Sequence, residues 1–309
     1  MVQDVRQPLV SVVIPTYNRD ECLLNLLDIL LRQDYSNFEV IVFDQSEILS
    51  CAKKKYFQEH AGRFFHHRSQ TKGRAVAKNE SLKLCRGEII LFCDDDIVPP
   101  LNFVRMHAQY HTDPRIAAVS FRVLQSDLPY LRSKNILRIT FYGRVKAGFH
   151  SDCECETESF TSANVSFARD VLFKTTGFDV SLAGTSVLEE PHLSFQFRAL
   201  GYGIVFSNAI SVMHIPQLSG NDEVRQNDIA GYYYQFHHNL ILYFLRYRSR
   251  ALLAFVIPFC ILRIVKQTLK NRLSLHDVRQ MLKGVGDAFD TFRRTQVLEN
   301  LKGVLAVKE

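Results

Sequence analysis

The chain has 309 residues, 47% of them hydrophobic, ample for one large domain and an appendage. Seven cysteines, at 22, 51, 85, 93, 153, 155 and 260, are odd in number and lie mostly in apolar or helical surroundings, which excludes a disulfide framework and indicates a reducing compartment. The net charge of +6 is uneven: residues 225–309 hold 14 Lys and Arg against 6 Asp and Glu, whereas residues 1–224 hold 24 against 26.

Leu9–Ile14 (LVSVVI) predicts a buried strand that stops at the polar turn Pro15–Arg19. Asn18 or Asp20 can cap the helix that follows, where Leu23, Leu26, Leu27, Leu30 and Leu31 form one apolar stripe. Phe38–Phe43 predicts a second strand, ending at Asp44. A helix carrying Lys53, Lys54 and Lys55 comes next, then a short strand at 64–66 and a helix over 74–85. Gly87–Cys93 reads as a fully buried strand that ends in Asp94, Asp95 and Asp96. Three adjacent carboxylates repel and resist burial. They fit either a solvated turn capping the next helix or a divalent cation site. A helix over 101–112 and a strand over 116–123 follow.

Residues 124–160 lack periodicity, and Asp152, Glu154, Glu156 and Glu158 read as a solvated loop; Cys153-x-Cys155 lacks the second pair of a zinc site. Further on, 188–200 predicts a helix, with strand segments at 203–207 and 212–214. From 229 the pattern is helical and rich in Leu, Tyr and Phe. Its uncharged run Ala251–Leu262 is shorter than the ~20 residues a spanning helix needs. The basic excess there predicts peripheral contact with an anionic membrane surface through 229–272. A buried helix or a homodimer interface would also suit the run. No zinc finger, ribonucleoprotein aromatic motif or basic-plus-heptad pattern points to nucleic acid. No signal-like segment opens the chain, so the expected location is cytoplasmic, at the inner face of the cytoplasmic membrane.

Alternating strands and helices predict an α/β, doubly wound, mostly parallel sheet with a helical C-terminal extension. Ligands bind such sheets outside the strands' carboxyl ends, where Pro15–Arg19, Asp44 and Asp94–Asp96 all fall. Neither G-x-G-x-x-G nor a P-loop is present, which argues against a nicotinamide enzyme or an ATPase.

From Val10 to about His214 the chain resembles glycosyltransferase family 2, with its GT-A nucleotide-sugar-binding fold. The matching pieces are Val12–Arg19 (VVIPTYNR), Val42-Phe43-Asp44, Gly73-x-x-x-Ala77-Lys78-Asn79, the acidic triplet, Asn164 and Arg169 in SANVSFARD, Gly177-Phe178-Asp179, and Glu189-Glu190 ahead of Leu200-Gly201-Tyr202. Lys78 stands where the family usually has Arg, and Glu189-Glu190 where it usually has Glu-Asp.

The resemblance implies a catalytic domain over 1–224, with a nucleotide-sugar half over about 1–123 and an acceptor half over about 124–224. The basic helical region would then cover 225–309. It implies an inverting, metal-dependent transfer of one sugar from a nucleoside-diphosphate donor, UDP- or dTDP-type, to a saccharide or lipid-linked acceptor. Asp94, Asp96 and His214 would hold Mn²⁺ or Mg²⁺. Pro15, Thr16, Tyr17, Asn18, Arg19, Asp44, Gly73, Lys78, Asp94 and Asp95 would bind the nucleotide sugar. Glu190 would be the general base, with Glu189 as the alternative. The chain has no tryptophan, hence no Q-x-x-R-W segment of processive members. Two rival readings are a sugar nucleotidyltransferase and a non-catalytic nucleotide-sugar-binding protein.

Overall fold

Strand β1 (Val10–Thr16) runs through the middle of a sheet covered on both faces, which is why it reads as an unbroken apolar run. The structure, a computed structural model, describes residues 7–125, 128–215 and 227–306. On one face, Val10, Val12, Ile14 and Leu91 meet the leucine stripe Leu23, Leu26, Leu27 and Leu30 of helix α1 (Asp20–Leu30). On the other, Val13, Ile90 and Phe92 meet Phe167, Phe178 and Phe197.

Strands β1, β2 (Phe38–Asp44), β3 (Phe65–Arg68) and β4 (Ile89–Cys93) are parallel, in the spatial order β3-β2-β1-β4. The crossovers run through α1, α2 (Cys51–Glu59) and α3 (Arg74–Ser81). Beyond β4 the sheet continues with β10 (Asn164–Ala168), β6 (Ile116–Leu124), β11 (Gly203–His214) and, at its far edge, β5 (Ile97–Val98), in the order β4-β10-β6-β11-β5, and helix α4 (Phe103–Tyr110) joins β5 to β6. Short pieces β7 (Arg138–Ile139), β8 (Val145–Lys146) and β9 (Cys155–Glu156) lie between β6 and β10 in the chain.

The mostly parallel expectation holds, with three differences. β10 inserts antiparallel between β4 and β6. The segments at 203–207 and 212–214 are one strand with a register shift between Ser207 and Ser211. The acidic run is not a free loop: β9 pairs with β11, Asp152 meets Arg122 at 2.7 Å, Glu154 accepts from Tyr110 and Ser207, and Glu158 lies near Arg138 and Arg198.

The chain forms two compact units. One holds the sheet: residues up to Arg138, Lys146–Phe178 and the stretch from Leu193. The other joins Ile139–Val145 and Asp179–His192 to the C-terminal helices α7 (Ile229–Tyr247), α8 (Leu253–Asn271) and α9 (Leu275–Ala306). Helix α6 (Glu189–Ala199) follows a four-residue turn of helix, α5 (Arg169–Leu172). In the helical unit α9 packs so closely on α7 that a Cβ at Gly284 would sit 2.3 Å from the carbonyl oxygen of Tyr234.

Candidate active site at the carboxyl edge of the sheet

Register decides which side chains meet. Thr16 pairs with Asp44 across β1 and β2, and Val13 with Phe92 across β1 and β4, so the three strands end at nearly one level. The chain after β4 therefore emerges beside the β1 turn. Thr16 Oγ1 donates to Asp95 Oδ2 at 2.6 Å, and one Arg19 nitrogen bridges Asp95 Oδ1 at 3.0 Å and Asp96 Oδ2 at 2.7 Å. His214 arrives from far along the chain. β11 pairs antiparallel with β5, His214 opposite Ile97, and the Ile215 amide donates to the Asp96 carbonyl at 2.9 Å. His214 Nε2 thus stands 3.3 Å from Asp96 Oδ1.

Asp94, Asp96 and His214 each offer a ligand atom, all within 4.8 Å of one another. Asp96 is buried, and its Oδ1 has no hydrogen bond of standard geometry, only His214 at ion-pair distance. A buried acceptor of that kind is costly unless something binds it. Two carboxylates with an imidazole suit a divalent first-row ion such as Mn²⁺, and carboxylates also suit Mg²⁺, so these residues fit the expected group.

The three aspartates differ electrically. Burial pushes the Asp95 carboxyl up to about 6, only partly offset by Arg19 and Thr16. Burial also acts to raise Asp96, but the adjacent His214 imidazole, with Arg19, holds it below the ordinary value. Asp94 is half-buried and accepts from Arg74 at 3.1 Å. The same Arg74 nitrogen donates to Ser162 at 3.1 Å. Arg74 was not singled out from sequence; its place two residues before the Val76-Ala77-Lys78 run, directly after Gly73, is the signal that could have marked it.

Around this cluster Tyr17 is exposed, with Lys72 Nζ 6.0 Å from its ring centre and its hydroxyl donating to Glu47 at 3.2 Å. Asn18 has φ 54, and its amide donates to Ser46 Oγ at 2.8 Å. Gly73 precedes α3 at φ 121, a conformation closed to most side chains. Pro15 sits opposite Phe43, one step before the register ends at Thr16.

Two expected donor contacts do not reach the surface. Asp44 is fully buried: Oδ1 accepts from the Ser46 amide at 2.9 Å, and Oδ2 meets Lys53 Nζ and His66 Nε2, each at 3.0 Å. These partners occupy the oxygens to which a nucleobase N–H was expected to donate. Lys78 is buried too, its ammonium 4.8 Å from the Phe178 ring centre, because α3 turns that face to the core.

Lys53 is the unforeseen partner. In a Lys-Lys-Lys run it looks solvated, yet Ser50 caps α2 and turns Lys53 inward, onto Asp20 at 2.8 Å, Asp44 and Ser46. Burial acts to raise the Asp44 pKa, but His66, Ser46 and Lys53 outweigh it and hold the group well below the ordinary carboxylate range. Removing one member of a buried pair costs ~3–5 kcal/mol. Lys53→Met should therefore lower the melting temperature clearly at pH 7. Because the folded pKa is depressed, this stabilisation is present above ~3.9 and fades as pH falls below it. The gap between the two proteins should narrow in acid; equal melting temperatures at pH 7 would show that the pair contributes nothing.

In the helical unit Glu189 and Glu190 open α6, after Ser186 and Leu188 at φ 59 and 70. Glu189 is 1% exposed and Glu190 half-buried. Helix α7 grips the segment before them. Gln235 accepts from Thr185, Asn239 accepts from the Ala183 amide at 2.9 Å and donates to the Val187 carbonyl at 2.7 Å, and Arg246 binds Asp179. His192 is buried beside them, Nδ1 3.4 Å from Asp179 and Nε2 3.2 Å from the Asn239 carbonyl.

Known proteins resemble this chain in sequence family and in fold. The profile of glycosyl transferase family 2 matches residues 11–172. YfnE of Bacillus subtilis, an uncharacterized glycosyltransferase, is 35% identical over 103 residues, 33% of this chain and 26% of its own length. AmsB, an amylovoran biosynthesis glycosyltransferase of Erwinia amylovora, is 34% identical over 90 residues, 28% of this chain and 30% of its own length. Matched stretches span only 20% to 33% of the first curated relatives. Among solved structures, Staphylococcus aureus TarS with UDP-GlcNAc superposes with a TM-score of 0.61 at 15% identity, covering 92% of this chain and 81% of that one. The mannosyltransferase PcManGT of Pyrobaculum calidifontis, solved with GDP-Man and Mn²⁺, gives 0.55 at 17% identity, covering 98% and 87%. Those likenesses establish the GT-A fold, and with its profile spanning just over half of the sequence the chain belongs to glycosyl transferase family 2.

Proposed function

We propose that this protein is an inverting, cation-dependent glycosyltransferase that moves one sugar from a nucleoside-diphosphate donor to a saccharide or lipid-linked acceptor. The observation that carries the reading is the Asp94–Asp96–His214 cluster, with its buried Asp96 oxygen at the carboxyl edge of the sheet. PcManGT, solved with GDP-Man and Mn²⁺, and TarS, solved with UDP-GlcNAc, lend support at the level of fold.

Asp94, Asp96 and His214 would hold Mn²⁺ or Mg²⁺, which when bound supplies positive charge against a leaving diphosphate. The protein's own groups do the rest. Arg19, hydrogen-bonded to Asp95 and Asp96, bridges the two carboxylates and offsets their mutual repulsion. Thr16 fixes Asp95, whose burial and raised pKa suit it to a hydrogen bond with a ribose hydroxyl. Exposed Tyr17 and Asn18 form the wall where the nucleoside would lie. Asp44 and Lys53 hold the floor under that wall. Glu190, more accessible than Glu189, takes the acceptor's proton as its oxygen attacks the anomeric carbon and the diphosphate leaves with the bonding pair.

Calorimetric titration with uridine, thymidine and guanosine diphosphates, with and without Mn²⁺, tests the reading. One nucleotide should bind with Mn²⁺ and weaken strongly without it. Failure of every nucleotide to bind would remove the donor assignment.

A further inference from the structure

The apolar run of the C-terminal region is the first half of a longer helical stretch than its sequence indicated. Arg250–Asn271 is long and apolar enough to cross a membrane by length and composition, and little of it is buried. Its inner side is committed. Val256, Cys260 and Ile264 are buried, Ile264 packing with Ala230 and Met281, and the Arg263 guanidinium stacks 4.0 Å from the Phe236 ring centre. On the opposite side Phe255, Leu262 and Leu269 recur every seven residues and are 55%, 69% and 75% exposed, with Ile261 and Val265 filling between them. At 1.5 Å per residue that stripe is about 21 Å long. Single exposed leucines need no explanation, but five exposed apolar side chains along one helix, with only Lys266 both charged and exposed between Leu262 and Leu269, do.

We infer that this face of α8 lies flat on an anionic lipid surface. Charge selects the occupant. Between Ile229 and His276 the chain has seven Lys and Arg and no Asp or Glu. Arg250, Lys266, Lys270 and Arg272 are exposed around the stripe. A second copy of the same face would bring like charges together, whereas anionic headgroups meet the bases while the acyl boundary takes the apolar side chains. Crossing would strip Val256, Cys260, Ile264 and Arg263 from their partners and sink Lys266 and Lys270 into hydrocarbon. Lying in the plane does neither, and the long lysines can reach up to the headgroups.

The test is flotation of the full chain with phosphatidylcholine vesicles that contain phosphatidylglycerol, against vesicles of phosphatidylcholine alone. Binding should require the anionic lipid and weaken with salt. The double variant Leu262→Glu with Leu269→Glu changes only exposed positions and should reduce binding roughly tenfold or more. Because the chain has no tryptophan, Phe255→Trp gives a single reporter whose emission should shift to the blue on vesicle binding. Absence of flotation, flotation unaffected by the double variant, or a dimer in solution that the double variant dissolves would each overturn the inference.

Discussion

Asp96→Asn is expected to weaken nucleoside-diphosphate binding to the level of wild-type protein without cation and to lower kcat/KM by roughly 10²-fold or more. Asn keeps the shape but removes the charge, so the buried oxygen facing His214 becomes a neutral acceptor and the diphosphate's charge loses its counterpart. The fold should survive. The β5–β11 ladder beside Asp96 is held by backbone bonds, including Ile215 to the Asp96 carbonyl, and Arg19 keeps Asp95. Calorimetry in Mn²⁺ together with a transfer assay checks the expectation. Full turnover of the wild-type protein in chelator would refute the cation assignment.

Glu190→Gln should separate the two halves of the reaction. Donor affinity should stay at the wild-type value, because a base acts on the acceptor hydroxyl, while kcat should fall ~10²–10⁴-fold. Glu189→Gln should have the smaller effect, since Glu189 is 1% exposed and Glu190 more open. The reverse ranking would move the role to Glu189. Loss of donor binding in Glu190→Gln would mean that the segment supports the nucleotide and not the proton transfer.

The parallel core and the polar strand tips were legible because each rests on local pattern. Apolar runs covered on both faces look alike wherever they occur, and a parallel sheet puts its carboxyl ends on one edge. β10 was not legible as an antiparallel strand, since orientation depends on its neighbours β4 and β6 and not on NVSFA itself. The resemblance pointed to His214, but only the β11–β5 register explains why it meets Asp96. Asp44 was expected at the surface because it ends a strand; what buries it is Lys53, and a lysine inside a basic run gives no local hint of burial. The single cut expected at about 224 is likewise a reading along the chain, whereas compactness groups 139–145 and 179–192 with the distal helices.

That grouping bears on modularity. The stretch that delivers Glu189 and Glu190 is moored by Gln235, Asn239 and Arg246, three side chains of α7 spaced to share one side of the helix. The C-terminal helices are thus not a detachable anchor behind a self-sufficient enzyme. A shuffled or truncated version that exchanged them wholesale would lose the moorings of its own acid segment, so any recombinant scaffold that keeps Glu189 and Glu190 must keep α7 as well.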